Sequence, residues 1–123
     1  MKIKTSERGW YGHYICGDRC TFTRNTLVKK GDKRYVVSTV GAMKTIDRKE
    51  YEAISLDNRY YETMIFRAKK DVDGYWDANV RKQIYNNSNW QINNIEACSD
   101  RCANDMHEEN VKELCHKLID NLL

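Results

Sequence analysis

Period-2 alternation dominates the first two-thirds of the chain. Cys20–Lys29 places Cys20, Phe22, Arg24, Thr26 and Val28 on one face and Thr21, Thr23, Asn25 and Leu27 on the other. Its threonines and β-branched residues favour a strand over a helix. Arg34–Gly41 (RYVVSTVG) has the clearest strand composition. Arg59–Lys69 alternates again, with Tyr60, Glu62, Met64, Phe66 and Ala68 opposite Tyr61, Thr63, Ile65 and Arg67. Trp10–Cys16 reads as an aromatic strand, closed by a turn at Gly17-Asp18-Arg19. Lys30–Lys33 and Asp57-Asn58 are further turns. Asp73-Gly74 is a type I′ hairpin cue leading into Tyr75–Tyr85, where Val80 and Ile84 are the expected inward residues. Ala42–Leu56 fits either a short helix or an irregular strand.

After the polar break Asn86–Asn89 the period lengthens. Ile92, Ile95, Cys98 and Cys102 recur at helical intervals. Asp105 with Glu108 three residues on forms a capping-box pattern. Val111, Leu114, Cys115, Leu118 and Leu122 then make one apolar face, either a core face or a contact with a second subunit. Strands followed by helices predict an α+β fold. The expected architecture is an antiparallel β-sheet body over about residues 9–86, then one bent or two C-terminal helices over about 91–122. The 123 residues fit a single domain, 1–123.

Charge divides the chain in the same way. Residues 1–90 carry 18 Lys/Arg and 11 Asp/Glu, whereas residues 91–123 carry 3 and 7. A basic body attracts an anionic partner, although its charge is too sparse for a duplex DNA track. No apolar run is long enough to span a membrane. The opening MKIKTSERGW has no apolar core of a secretory signal. The expectation is therefore a reducing cytoplasmic location, with the five cysteines present as thiols.

Candidate chemistry is sparse. Cys16-x3-Cys20 and Cys98-x3-Cys102 suggest a four-cysteine zinc site, but the spacing favours packing cysteines, and no metal or cofactor is expected. His13, His107 and His116 sit in no catalytic motif, and no glycine-rich phosphate loop occurs. The expectation is a non-enzymatic protein. Arginines at 8, 19, 24, 34, 59 and 67 interleave with Trp10, Tyr11, Tyr14, Tyr35, Tyr60, Tyr61 and Trp76. Guanidinium groups grip phosphates and aromatic faces stack on bases. Asn25, Ser38, Thr39 and Thr63 offer neutral hydrogen bonds. The competing reading makes the aromatics core residues or cross-strand pairs.

The strings RGWYGHYIC, C-x-F-x-RNTL, VVSTVG, RYYETMIF and YWDANV, with ANDMHE in the tail, span Arg8 to about Leu118. Together they resemble phage-encoded Thoeris anti-defence proteins of the first type. Those are small non-enzymatic sponges for cyclic ADP-ribose signals made by bacterial TIR-domain enzymes, and some also capture cyclic oligonucleotides. The resemblance implies a homo-oligomer, a dimer or larger ring, with pockets at or near subunit contacts. It gives sequestration of a small cyclic nucleotide in the host bacterial cytoplasm as the expected function. Arg24 and Arg59 would hold phosphates, Tyr61 and Trp90 would stack on the base, and His13, Asn25 and Thr63 would hydrogen-bond to base or ribose. The acidic tail leaves phosphate contacts to the basic body, and nucleic acid is an unlikely partner. The alternative is a protein-binding inhibitor or a single-stranded nucleic-acid module using the same surface.

Overall fold

The computed structural model describes residues 2–8, 13, 20–44, 51–52, 60–70, 72–85, 91–92 and 100–123. The elements are β1 (Ile3–Arg8), β2 (Cys20–Lys30), β3 (Lys33–Lys44), β4 (Tyr51–Glu52), β5 (Tyr61–Lys70), β6 (Trp76–Tyr85), β7 (Gln91–Ile92) and α1 (Asp100–Ile119). Five main strands form an antiparallel sheet in the order β1-β2-β3-β5-β6, with β4 on β3 and β7 on β5. One C-terminal helix packs on that sheet, so the fold is α+β.

Alternation sets the two faces. The register Glu7↔Thr26, Arg24↔Thr39 and Thr39↔Thr63 puts these residues on the helix side. There Val28, Tyr35, Val37 and Ile65 pack with Leu114 and Leu118. Val36, Phe66 and Ala78 form a second cluster on the opposite face, with Leu27, Met64 and Ala68 against it. A salt bridge joins the edge strands: Arg8 Nε on β1 lies 3.4 Å from Asp77 Oδ1 on β6. Across a flat sheet these strands would stand about 19 Å apart, four spacings of about 4.8 Å. The sheet therefore curls until its edges approach over the helix-free face.

Local chemistry explains the turns. Lys30↔Lys33 closes a two-residue hairpin with Gly31 at φ 62°. Glycine first in the loop is the type II′ solution, whose twist matches the strands. Beside this hairpin α1 stops in a Schellman cap. Asn121 takes φ 56°, Leu122 N–H donates to Lys117 O (2.8 Å) and Asn121 N–H to Leu118 O (3.3 Å). Lys30 Nζ donates to Leu118 O (2.6 Å), placing a cation at the negative end of the helix.

Several expectations are corrected. The sheet begins at Ile3, before residue 9, because β1 pairs along β2. Gln91–Ile92 is a strand on β5, so Ile92 does not open a helix. The tail holds one helix running through Asp105, which is an interior residue and not a cap. Ala103 and Met106 pack against Tyr61, and this contact extends the helix past the capping box. Val80 is 51% exposed. Between the pairs Phe66↔Gln83 and Ala68↔Ala78, two steps on β5 oppose five on β6, and Val80 lies in that bulge. Leu122 lies beyond the helix at 69% exposure. Of Ala42–Leu56, the strands claim 42–44 and 51–52. The Trp10–Cys16 strand, apart from His13, lies outside the described residues.

Cys102, read from sequence as a thiol, is disulfide-bonded, whereas Cys115 keeps its thiol. Such a bond depends on two side chains meeting in space, which spacing along the chain does not reveal. It removes the cysteine argument for a reducing compartment. Among the described residues no helix is long and apolar enough to cross a membrane.

Candidate functional site

Two polar clusters lie on opposite faces of the sheet, one under α1 and one on the helix-free face. Under α1, the imidazole of His107 is fully buried. Thr26 Oγ1–H donates to the Glu7 carboxylate (2.9 Å). The 2.7 Å contact between Thr26 and His107 Nε2 therefore carries its proton on the nitrogen. The neutral ring then accepts at Nδ1 from Thr39 Oγ1–H (2.7 Å), and Thr39 accepts from Thr63 (2.6 Å). Arg24 closes the outer end. Its Nε and Nη2 donate to Glu7 Oε1 (3.2 and 2.7 Å), and Nη1 reaches Asn104 Oδ1 (2.9 Å) and Glu108. The relay ties β1, β2, β3 and β5 to α1.

Burial, reinforced by the Arg24 charge and opposed by the pull of Glu7 and Glu108, holds the His107 pKa down at about 4. Glu7 loses solvation on burial, but hydrogen bonds from Arg24 and Thr26 outweigh that and hold its pKa below the usual value. Both shifts act in one direction. Between pH 6.5 and about 4 the unfolded chain protonates His107 while the folded chain does not. Stability therefore falls as pH drops through that window, by about 3 kcal/mol for the histidine. Urea unfolding from pH 7 to pH 4 should show this decline, and His107→Gln should flatten it. A wild-type slope that the variant retains would assign the decline to other groups.

On the helix-free face, His13 bridges two strands. Its Nε2–H donates to Glu62 Oε1 (3.2 Å) and its Nδ1 lies 2.8 Å from Ser38 Oγ. The His13 and Glu62 side chains are only 3% and 0% exposed. The His13 ring tilts against Phe66 at 5.5 Å between centroids. Asn25, also buried, pairs in register with Ser38. Ser38–His13–Glu62 has the residue types of a hydrolase triad. Its serine is fully buried in mid-strand, which denies a substrate carbonyl access. The cluster acts as a polar clamp across β3 and β5.

Toward the hairpin end the same face turns strongly cationic. The register pairs Lys4 with Lys29 and Lys29 with Arg34, so three cations stand abreast on β1, β2 and β3. Like charges directly opposite one another destabilise a sheet. Lys4 and Lys29 form no ion pair with another described residue. Arg34 lies over the Trp76 ring, with its guanidinium carbon 4.4 Å from the centroid, and the Lys70 ammonium is 5.7 Å from the same ring. Arg34 and Trp76 wall two clefts. One, of about 280 Å³, is lined by Asp32, Lys33, Tyr35, Arg67 and Ala68. The other, of about 330 Å³, is lined by Lys4, Thr5, Ser6, Leu27 and Lys29. Both approach the size of a small-ligand site.

The residues expected from sequence to bind ligand separate. His13 and Asn25 share the helix-free face. Arg24 and Thr63 belong to the relay under the helix. Tyr61 is 2% exposed and meets Phe22 edge-on at 6.3 Å. Arg59 and Trp90 lie outside the described residues, as do Cys16 and Cys98 of the zinc reading. Sequence reasoning missed Arg34 and Trp76 as partners. The signal available was Arg34 and Lys29 at facing positions of a hairpin that a Gly31 turn brings into register. Comparison with protein families, curated proteins and solved structures gives no match to this chain.

Proposed function

We propose that this chain is a non-catalytic binding protein that sequesters a small phosphate-bearing cyclic nucleotide. The ligand implied by the resemblance is a cyclic ADP-ribose isomer made by a bacterial TIR-domain enzyme. Capturing it in the bacterial cytoplasm would counter anti-phage defence. The observation that carries the reading is the Lys4–Lys29–Arg34 row beside Trp76. A fold that keeps three cations abreast with no ion pair to a carboxylate among the described residues gains most when an anion sits among them. The stacked guanidinium offers planar donors, and among the described residues one of them is engaged, on Asp32 O at 3.3 Å. Ligand and protein separate unchanged, because nothing in this reading breaks a bond.

Assembly into a homo-oligomer belongs to the same proposal. Ile119 and Leu122, 61% and 69% exposed at the end of α1, support an apolar contact there. The functional test is capture and release. Protein incubated with a cyclic ADP-ribose isomer, filtered and heated, should return the intact ligand in stoichiometric amount. A linearised product would overturn the reading in favour of an enzyme, and ligand passing wholly through the filter would refute capture.

A further inference from the structure

The two clefts share one wall, and this makes Arg34 common to both. The Lys4 cleft carries Lys4, Lys29 and Arg34, a formal charge of +3. The Arg67 cleft carries Arg34 and Arg67 against Asp32, and its Lys33 ammonium is already engaged on Leu123 O. With Arg34 counted once, Lys4 and Lys29 on one side and Arg67 on the other remain, and the two sides share Arg34. Lys4, Lys29 and Arg67 have no ion-pair partner among the described residues. Stacking on Trp76 at 4.4 Å fixes the plane of Arg34, so its donors are set before a ligand arrives. A phosphate on either side can then take hydrogen bonds from the same guanidinium.

We infer, building on the proposed nucleotide site, that this wall selects ligands with two separate phosphate groups, one in each cleft, joined across Arg34 and Trp76. A nucleoside bisphosphate unit, free or within a cyclic or linear nucleotide, has that chemistry. A single phosphate fills one cleft and leaves the cations of the other unpaired.

Calorimetric titration with adenosine 3′,5′-bisphosphate, 5′-AMP and 3′-AMP at one ionic strength decides this. The bisphosphate should bind at least about tenfold more tightly than either monophosphate, the worth of one charge-assisted contact. Lys29→Ala and Arg67→Ala, one in each cleft, should each bring it down to monophosphate affinity. Lys29→Ala should also leave the thermal midpoint unchanged or higher, since it removes a like-charge neighbour, and this shows that the variant folds. Equal affinity for the three nucleotides, or an Arg67→Ala protein that keeps the bisphosphate preference, would overturn the inference. Neither result bears on capture of a cyclic ADP-ribose isomer. Conversely, a bisphosphate preference in a protein that ignores that isomer would uphold the wall and sink the sponge.

Discussion

Replacing His107 with alanine should cost about 3–5 kcal/mol of folding stability and lower the thermal midpoint by roughly 10–20 °C. Two losses combine. The ring is fully buried between α1 and the sheet, so its removal leaves a cavity. It also joins Thr26 to Thr39 through contacts of 2.7 Å each, and both hydroxyls lose a partner in a dry environment. Glutamine offers one donor and one acceptor at similar reach, and His107→Gln should recover part of the loss. Chemical denaturation of the three proteins at pH 7 measures this. A change below about 1 kcal/mol for the alanine variant would mean that the relay adds little to holding α1 on the sheet.

Gly41→Ala should be nearly as damaging, at about 2–4 kcal/mol. Gly41 pairs with Tyr61 across β3 and β5, and a Cβ there would stand 2.0 Å from Tyr61 Cδ1 and 2.6 Å from Cγ. The ring lies where a side chain would otherwise be, and Phe22 and Ala103 pack around it. An added methyl group therefore ejects the ring from the layer that seats the first turns of α1. In a Tyr61→Ala background the same substitution should cost almost nothing. Additive losses in that double-mutant cycle would place the clash elsewhere.

Much of the fold was legible in the chain because one face of each strand is buried, and burial enforces alternation. Thr26, Val28, Tyr35, Val37, Thr63 and Ile65 follow period 2 without a break. The helix was harder to read at its start. Its buried stripe is Ala103, His107, Asn110, Leu114 and Leu118, and only the last two are large and apolar. His107 occupies the first half because it meets threonines, not leucines, on the sheet. Histidine and asparagine in a buried stripe look like a solvated face until the partner strands are known. The β6 bulge was hidden for a different reason. Three additional residues opposite β5 leave no mark in the local pattern, and Val80 reads as an inward residue.

The candidate site divided along similar lines. His13 and Asn25, expected to hydrogen-bond to a base or ribose, lie on the helix-free face. The resemblance and its charge make Arg24 an expected phosphate ligand. In the folded chain that charge meets Glu7 from β1 and Glu108 from α1, two residues remote from it in sequence. The Arg34–Trp76 wall depends on curvature. Arg34 on β3 reaches Trp76 on β6 across β5, and a curled sheet brings the Lys4 edge to the same cleft. Composition suggested arginines among aromatics, and the register decided which of them meet.

Titration of a cyclic ADP-ribose isomer into the wild-type protein and into an Arg34→Ala, Trp76→Ala double variant tests the central claim most directly. The wild type should bind it, and the double variant should lose at least about a hundredfold in affinity, since a phosphate clamp and an aromatic platform each contribute about 1–3 kcal/mol. Thermal unfolding should stay close to wild type, because neither side chain reaches the core under α1. Undiminished binding by the double variant would contradict the account and move the ligand off the helix-free cationic face.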